Sequence, residues 1–173
     1  MRRLKLFIAT SVDGYIAGAN GDVSWRFHDG DYGYAAFFAG IDTVLVGRRT
    51  YEAALGLERW PYLDRKTVVF TRGGDLNVSS PDTVATSRTP TDVVADLRSR
   101  EGKDLWLAGG AELVSACLDQ CLIDDIIMSV HPIVLGGGIP LVAGGTNATR
   151  LTLIAERRYP SGLVQLTYRT DRD

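Results

Sequence analysis

Leu105-Trp106-Leu107-Ala108-Gly109-Gly110-Ala111-Glu112 is a short apolar run stopped by two glycines and followed at once by helix-favouring residues. Four apolar residues are too few for a helix and suit a strand buried on both faces. Gly109-Gly110 reads as the turn, and residues 111–120 read as the helix it opens. The same order recurs at Val44-Leu45-Val46-Gly47-Arg48-Arg49-Thr50, where a strand over 43–46 passes through Gly47 into a helix over Arg48–Leu55.

Working outward from these units, the spacing predicts strands over 4–10, 66–71, 82–86 and 123–130. It predicts helices over 31–40, stopped by Gly40, and over 91–100, with Thr91 or Asp92 near the cap. Residues 13–25 and the glycine-rich stretch 136–145 read as loops. The tail carries two strands, Leu151–Arg158 and 163–170, turned by Pro160-Ser161-Gly162. Strands alternating with helices imply an α/β fold: a mixed, mostly parallel central sheet flanked by helices, with an antiparallel C-terminal hairpin.

At 173 residues, without repeats or a Pro/Gly/Ser linker, the chain reads as one domain, 1–173. A net charge of −2 leaves no basic footprint for nucleic acid or an anionic membrane, so a phosphate site would have to be local. No apolar run approaches the roughly 18 residues of a membrane span. Met1-Arg2-Arg3-Leu4 invites a signal-peptide reading, but Lys5 interrupts the apolar stretch, and a buried first strand in a cytoplasmic protein is the expectation. Cys117 and Cys121, spaced i, i+4, read as a shared helix face in the core, and no metal site is expected.

Ligands in open α/β sheets bind beyond the carboxyl ends of the strands. There the chain offers Gly47-Arg48-Arg49-Thr50, Thr71-Arg72 and Gly109-Gly110. Helix N-termini present free N–H groups, glycine allows close approach, and arginine adds phosphate-matched geometry. Taken singly, each glycine is also an ordinary turn, and Arg48 and Arg49 are also plain surface charges. Neither G-x-G-x-x-G at a strand–helix junction nor G-x-x-x-x-G-K-[ST] occurs, which disfavours Rossmann and P-loop binding. For acid–base work, His28, Asp29 and Asp31 cluster before the first helix. Ionised Asp31 would be favoured by the helix dipole, and desolvation beside Trp25 or Phe27 would raise its pKa. A helix cap is the competing role for Asp29 or Asp31. His131, before Pro132, reads as a packing residue.

The chain resembles the dihydrofolate reductase superfamily, and most of all the stand-alone reductase domain of riboflavin-biosynthesis deaminase-reductases (RibD C-terminal type). The resemblance rests on residues 8–17 (I-A-T-S-V-D-G-Y-I-A), 42–52 (D-T-V-L-V-G-R-R-T-Y-E), 67–72 (T-V-V-F-T-R), 105–113 and 131–141 (H-P-I-V-L-G-G-G-I-P-L). It implies the three-layer dihydrofolate-reductase-like fold and NADPH as cofactor. Ala9 and Ile16 would border the nicotinamide. Gly47, Arg48, Arg49 and Thr50 would hold the pyrophosphate and adenosine end, and Thr71 and Arg72 the adenine ribose and 2′-phosphate. Gly109-Gly110, often a cis peptide in this family, would face the diphosphate, with Ala111, Glu112 and Leu113 continuing the site. The resemblance puts a catalytic acid at Asp31 and substrate contacts at Asp31, Trp25 and Arg65, although Arg65-Lys66 also reads as a solvated pair. The implied activity is reduction of 5-amino-6-(5-phosphoribosylamino)uracil or a similar small heterocycle by a homodimer. Dihydrofolate reduction and a non-catalytic NADP-binding module are the alternatives.

Overall fold

Leu4, Leu6 and Ile8 are buried while the residues between them are half-buried, so β1 (Leu4–Ser11) turns one face fully into the core and covers the other in part. In the computed structural model, which describes residues 1–73, 76, 78–144 and 147–171, β1 lies near the centre of the sheet. β2 (Tyr15–Ala17), α1 (Tyr34–Ala39), β3 (Ile41–Gly47), α2 (Arg48–Leu55), β4 (Lys66–Phe70), β5 (Thr83–Thr86) and α3 (Pro90–Arg98) follow. The chain continues through β6 (Asp104–Gly109), α4 (Ala111–Asp119), β7 (Asp125–His131), β8 (Ile139–Pro140), β9 (Leu151–Arg158) and β10 (Val164–Thr170). Eight strands pair in the order β5-β4-β3-β6-β1-β7-β10-β9. The first six run parallel, and β10 and β9 close the sheet as an antiparallel hairpin.

Two apolar layers sandwich this sheet. On one face Leu6, Ile8, Leu45 and Leu107 pack with Val94 and Leu97 of α3 and Val114 and Cys117 of α4. On the other, Val44, Val46 and Val69 pack with Tyr51 and Ala54 of α2, and Phe7 stacks on Phe37 of α1 at 4.5 Å. Covering both faces of the parallel strands removes their apolar side chains from water. Arg2 is buried beneath the sheet, where it donates to Asp42, to Thr43 Oγ1 at 2.9 Å and to the carbonyl oxygens of Leu97 and Lys103. β9 is the exception: all eight of its residues are exposed.

Four details differ from the sequence reading. The loop over 13–25 contains β2, which pairs with β8 from the second loop. That second loop's last residue, Gly145, lies outside the described residues, as do residues 172–173. The first helix starts at Tyr34 rather than residue 31, because Tyr32 (φ 50°) and Gly33 (φ 79°) take left-handed conformations that a helix cannot continue through. α3 is capped by Thr89, whose hydroxyl accepts from the Asp92 amide at 3.2 Å, with Pro90 in the first turn where its missing N–H costs nothing. Cys121 falls beyond α4 in a left-handed turn (φ 50°) and is exposed, so only Cys117 packs in the core. Among the described residues, no helix is long and apolar enough to cross a membrane.

Candidate functional site

β3 and β6 are parallel neighbours, and each ends in a glycine that leads directly into a helix. Their carboxyl ends therefore bring the N-termini of α2 and α4 side by side. A Cβ on Gly110 would sit 3.2 Å from Thr50 Oγ1, and one on Gly47 would touch the Gly109 carbonyl and Gly110 amide at 3.9 Å. The Gly109–Gly110 peptide is cis. Neither helix has a side-chain cap, so the first-turn amides of both remain for solvent or a ligand. Two adjacent, uncapped N-termini lined by glycine can cradle two linked anionic groups.

The charged residues assigned to this region divide. Arg72 is 87% exposed and forms an ion pair with Glu112 across the mouth of the cradle. Arg48 lies on the outer surface of α2, bonded to Glu52 at 2.8 Å, and Arg49 is exposed. Thr71 continues the strand pairing through its amide to Thr86 O at 3.0 Å. Ala111 is half-buried at the start of α4, while Leu113 is buried in the core beneath the cradle. The structure thus brings Gly47, Thr50, Gly109 and Gly110 together and pairs Arg72 with Glu112.

Beyond the ends of β1 and β7 lies a cleft of about 310 Å³, lined by Phe7, Ala9, Arg26, Phe27, Asp31, Tyr34, Ser129 and His131, among others. Ala9 and Ser129 are parallel partners on the cleft floor. Ile16 is buried, and its carbonyl accepts from Arg26 Nη2 at 2.5 Å. His131 is buried between Trp25 and Phe27, at ring distances of 5.3 and 5.1 Å, with Nδ1 3.1 Å from Ser129 O. Burial lowers its pKa, which holds it neutral at pH 7. Burial likewise raises the Tyr34 pKa and keeps that hydroxyl protonated.

Asp31 lines the cleft but is exposed, and its Oδ1 accepts from the Ala35 amide at 3.0 Å. The capping role and the cleft position are therefore held by one carboxylate. Trp25 supports the cleft from behind His131 and is not among its lining residues. Arg65 stands apart: it donates to Phe38 O at 3.1 Å and Asp64 O at 2.9 Å and lies 4.1 Å over the Phe38 ring. Arg26 and His131 are among the cleft residues that sequence reasoning did not assign, with Phe7, Tyr34 and Ser129. An arginine set between two aromatics, Trp25 and Phe27, was the available signal for the first. A second groove, of about 460 Å³, lies at the opposite strand ends near Lys66, Ser80 and Asp82, remote from the glycine turns.

Comparison with known proteins bears on the family and the fold. Residues 2–165 match the family model described as the RibD C-terminal domain. The uncharacterized protein YwjB of Bacillus subtilis (strain 168) is 39% identical over 171 residues, 96% of this chain and 97% of that protein. The crystal structure of a candidate riboflavin biosynthesis protein from Shewanella sp. PV-4 superposes with a TM-score of 0.88 at 27% identity, covering 98% of this chain and 99% of that one. Dihydrofolate reductase from Enterococcus faecalis, solved with NADP(H), has a TM-score of 0.71 at 15% identity, covering 98% and 97%. The fold is dihydrofolate-reductase-like.

Proposed function

This chain belongs to the RibD C-terminal domain family, and on that premise we propose that it is an NADPH-dependent reductase of a small heterocycle, of the 5-amino-6-(5-phosphoribosylamino)uracil reductase type. The observation that carries the reading is the paired cradle: two uncapped helix N-termini meeting at Gly47 and Gly109-Gly110, next to an aromatic cleft. The cradle fits a dinucleotide, since a Cβ on Gly110 would crowd Thr50 Oγ1 at 3.2 Å, the backbone at Gly47 carries no side chain to cover the helix ends, and Thr50 adds a hydroxyl. Gly47, Thr50, Gly109 and Gly110 would hold the diphosphate, Arg72 the 2′-phosphate, and Ala9 and Ile16 would border the nicotinamide.

Bound NADPH supplies the hydride. The chain's own residues position the acceptor. Phe7, Phe27 and Tyr34 form flat walls for a planar ring, and closing them around it excludes water and strengthens the polar contacts inside. Ala9, with its small side chain, leaves the ring free to reach the strand end. Asp31 holds or relays a proton to the reduced product at a position open to solvent. Dihydrofolate is the weaker substrate reading, because Arg65 is turned to the Phe38 and Asp64 carbonyls and the Phe38 ring and does not line the cleft.

The test is consumption of NADPH, followed by loss of reduced-nicotinamide absorbance, on addition of 5-amino-6-(5-phosphoribosylamino)uracil or dihydrofolate. Turnover of the first supports the reading. Turnover of dihydrofolate alone moves the assignment, and binding of NADPH without turnover of either leaves a nucleotide-binding module.

A further inference from the structure

Tyr32 holds a left-handed backbone (φ 50°) directly ahead of Gly33 (φ 79°), between Asp31 and the first turn of α1. For a tyrosine that conformation costs energy, and it persists only where the surroundings over-determine it. The C-terminal hairpin supplies the constraint. The Tyr32 hydroxyl donates to Asp29 and hydrogen-bonds Ser161 Oγ at 3.0 Å, and its ring packs edge-on against Tyr159 at 4.7 Å. The backbone is held by Gln165 of β10, whose Nε2 donates to the Tyr32 carbonyl at 2.9 Å and to Ser129 Oγ at 3.0 Å.

Gln165 and Ser129 are direct antiparallel partners on β10 and β7, and Ser129 pairs in turn with Ala9 on the cleft floor. An amide NH2 carries two hydrogens, and both are used here. A backbone carbonyl only accepts, so the bond to Tyr32 fixes which way the amide points. One side chain thus bridges a strand of the sheet to residues 29–33, which belong to no strand or helix. The left-handed pair turns the chain back on itself after Asp31. With the pair in place, the Asp31 carbonyl accepts from the Tyr34 amide at 2.9 Å, Oδ1 accepts from the Ala35 amide at 3.0 Å, and the same residue lines the cleft. A Tyr32 relaxed to negative φ would lose these bonds and the cleft position together.

We propose that Gln165 is a positioning residue of the candidate active site: its amide clamps the left-handed Tyr32 turn to the sheet and so sets Asp31 in the acceptor cleft. Gln165 does not itself line the cleft, so it acts through Asp31. This rests on the reductase reading for what Asp31 does to the acceptor, and not for where Asp31 is held. Glutamate in its place would keep the shape and lose both donors, setting an anion against a carbonyl oxygen.

The test has two arms on Gln165→Met, which keeps the length of the side chain and loses its donors. The first needs no substrate. In heteronuclear NMR spectra of the free protein, the Ala35 amide resonance should move toward its position in Asp31→Ala, and its hydrogen exchange should quicken about 5- to 30-fold, the range expected for the loss of two neutral hydrogen bonds. An Ala35 amide that stays as in the parent overturns the proposal. The second arm is turnover of NADPH with 5-amino-6-(5-phosphoribosylamino)uracil. The kcat of Gln165→Met should fall by the same factor while NADPH affinity holds. In an Asp31→Asn background the substitution should have no further effect on kcat, because its influence passes through Asp31. An equal fall in both backgrounds means general structural damage and overturns the proposal. If the parent turns over no acceptor, the reductase reading fails and the Ala35 amide still decides the clamp. If Gln165→Met does not fold, Gln165→Glu takes its place with the same outcomes.

Discussion

Gly138 is where a single methyl group should do the most damage. Its φ is 139°, which side chains rarely adopt, and an added Cβ would come within 2.2 Å of the Ala17 carbonyl oxygen and 3.1 Å of Gly18 Cα. Both obstacles are backbone, so no rotamer change relieves them. The backbone conformation costs about 1–2 kcal/mol, and overpacking adds about 1–3 kcal/mol. The loop can undock instead of transmitting the full strain, but undocking gives up the β2–β8 pairing and the Leu141 amide bond to Gly14 O at 2.9 Å. For Gly138→Ala we therefore expect a loss of roughly 2–4 kcal/mol, lowering Tm by roughly 5–15 °C in a chain of this size. NADPH affinity should weaken with it, because Ile16 lies on the displaced strand. Gly137→Ala is the matched control: a Cβ there meets nothing within 4 Å, and its φ is not in the left-handed region. It should melt within about 0.5 kcal/mol of the parent. The assay is thermal unfolding by circular dichroism on the two variants side by side. Equal melting of Gly138→Ala and Gly137→Ala would refute the claim that this close approach holds the two loops together.

Three further outcomes follow from the same structure. Asp31→Asn keeps an oxygen for the Ala35 amide, so it should fold normally and bind NADPH as before while turnover falls about 10²- to 10⁴-fold; steady-state kinetics with undiminished rate would remove Asp31 from the chemistry. Hydrogen bonds from the Ser11 hydroxyl and the Leu135 and Gly136 amides hold the Asp13 carboxyl at a pKa of about 2, below its ordinary 3.8. A lowered folded-state pKa stabilises above the unfolded value and is lost as pH falls through the folded one, so the urea midpoint should drop between about pH 4 and pH 2, and less steeply in Asp13→Asn. Finally, β9 exposes Leu151, Leu153 and Ile154 along an open sheet edge. Sedimentation should give twice the 18.8 kDa chain mass, and Leu153→Glu should halve it; a monomeric parent would contradict the expected homodimer.

Elements with local causes were legible in the sequence. The spacing over Arg48–Leu55 and Leu151–Arg158 matches α2 and β9 residue for residue, with Gly47 and Gly56 bounding the helix and Pro160 closing the strand. The start of α1 was not legible, since Tyr32 adopts a positive φ that is rare for a tyrosine and that its own type does not announce. Thr89-Pro90 did carry a cap signal, and Thr91-Asp92 two residues later obscured it. β2 and β8 are two or three residues each and exist only through each other, a long-range pairing without a period to read. The cradle could be read because strand, glycine and helix are contiguous. The cleft could not, because Arg26 and His131 lie about a hundred positions apart in sequence and meet only when β1 and β7 pair.

The most direct test of the account is titration of the purified protein with NADPH and with NADH, followed by nicotinamide fluorescence. The account predicts saturable NADPH binding and at least about tenfold weaker NADH binding, with the preference reduced in Arg72→Ala, since a 2′-phosphate needs a cationic partner. Failure of both nucleotides to bind would contradict it, leaving a dihydrofolate-reductase-like fold whose glycine cradle serves some other anion.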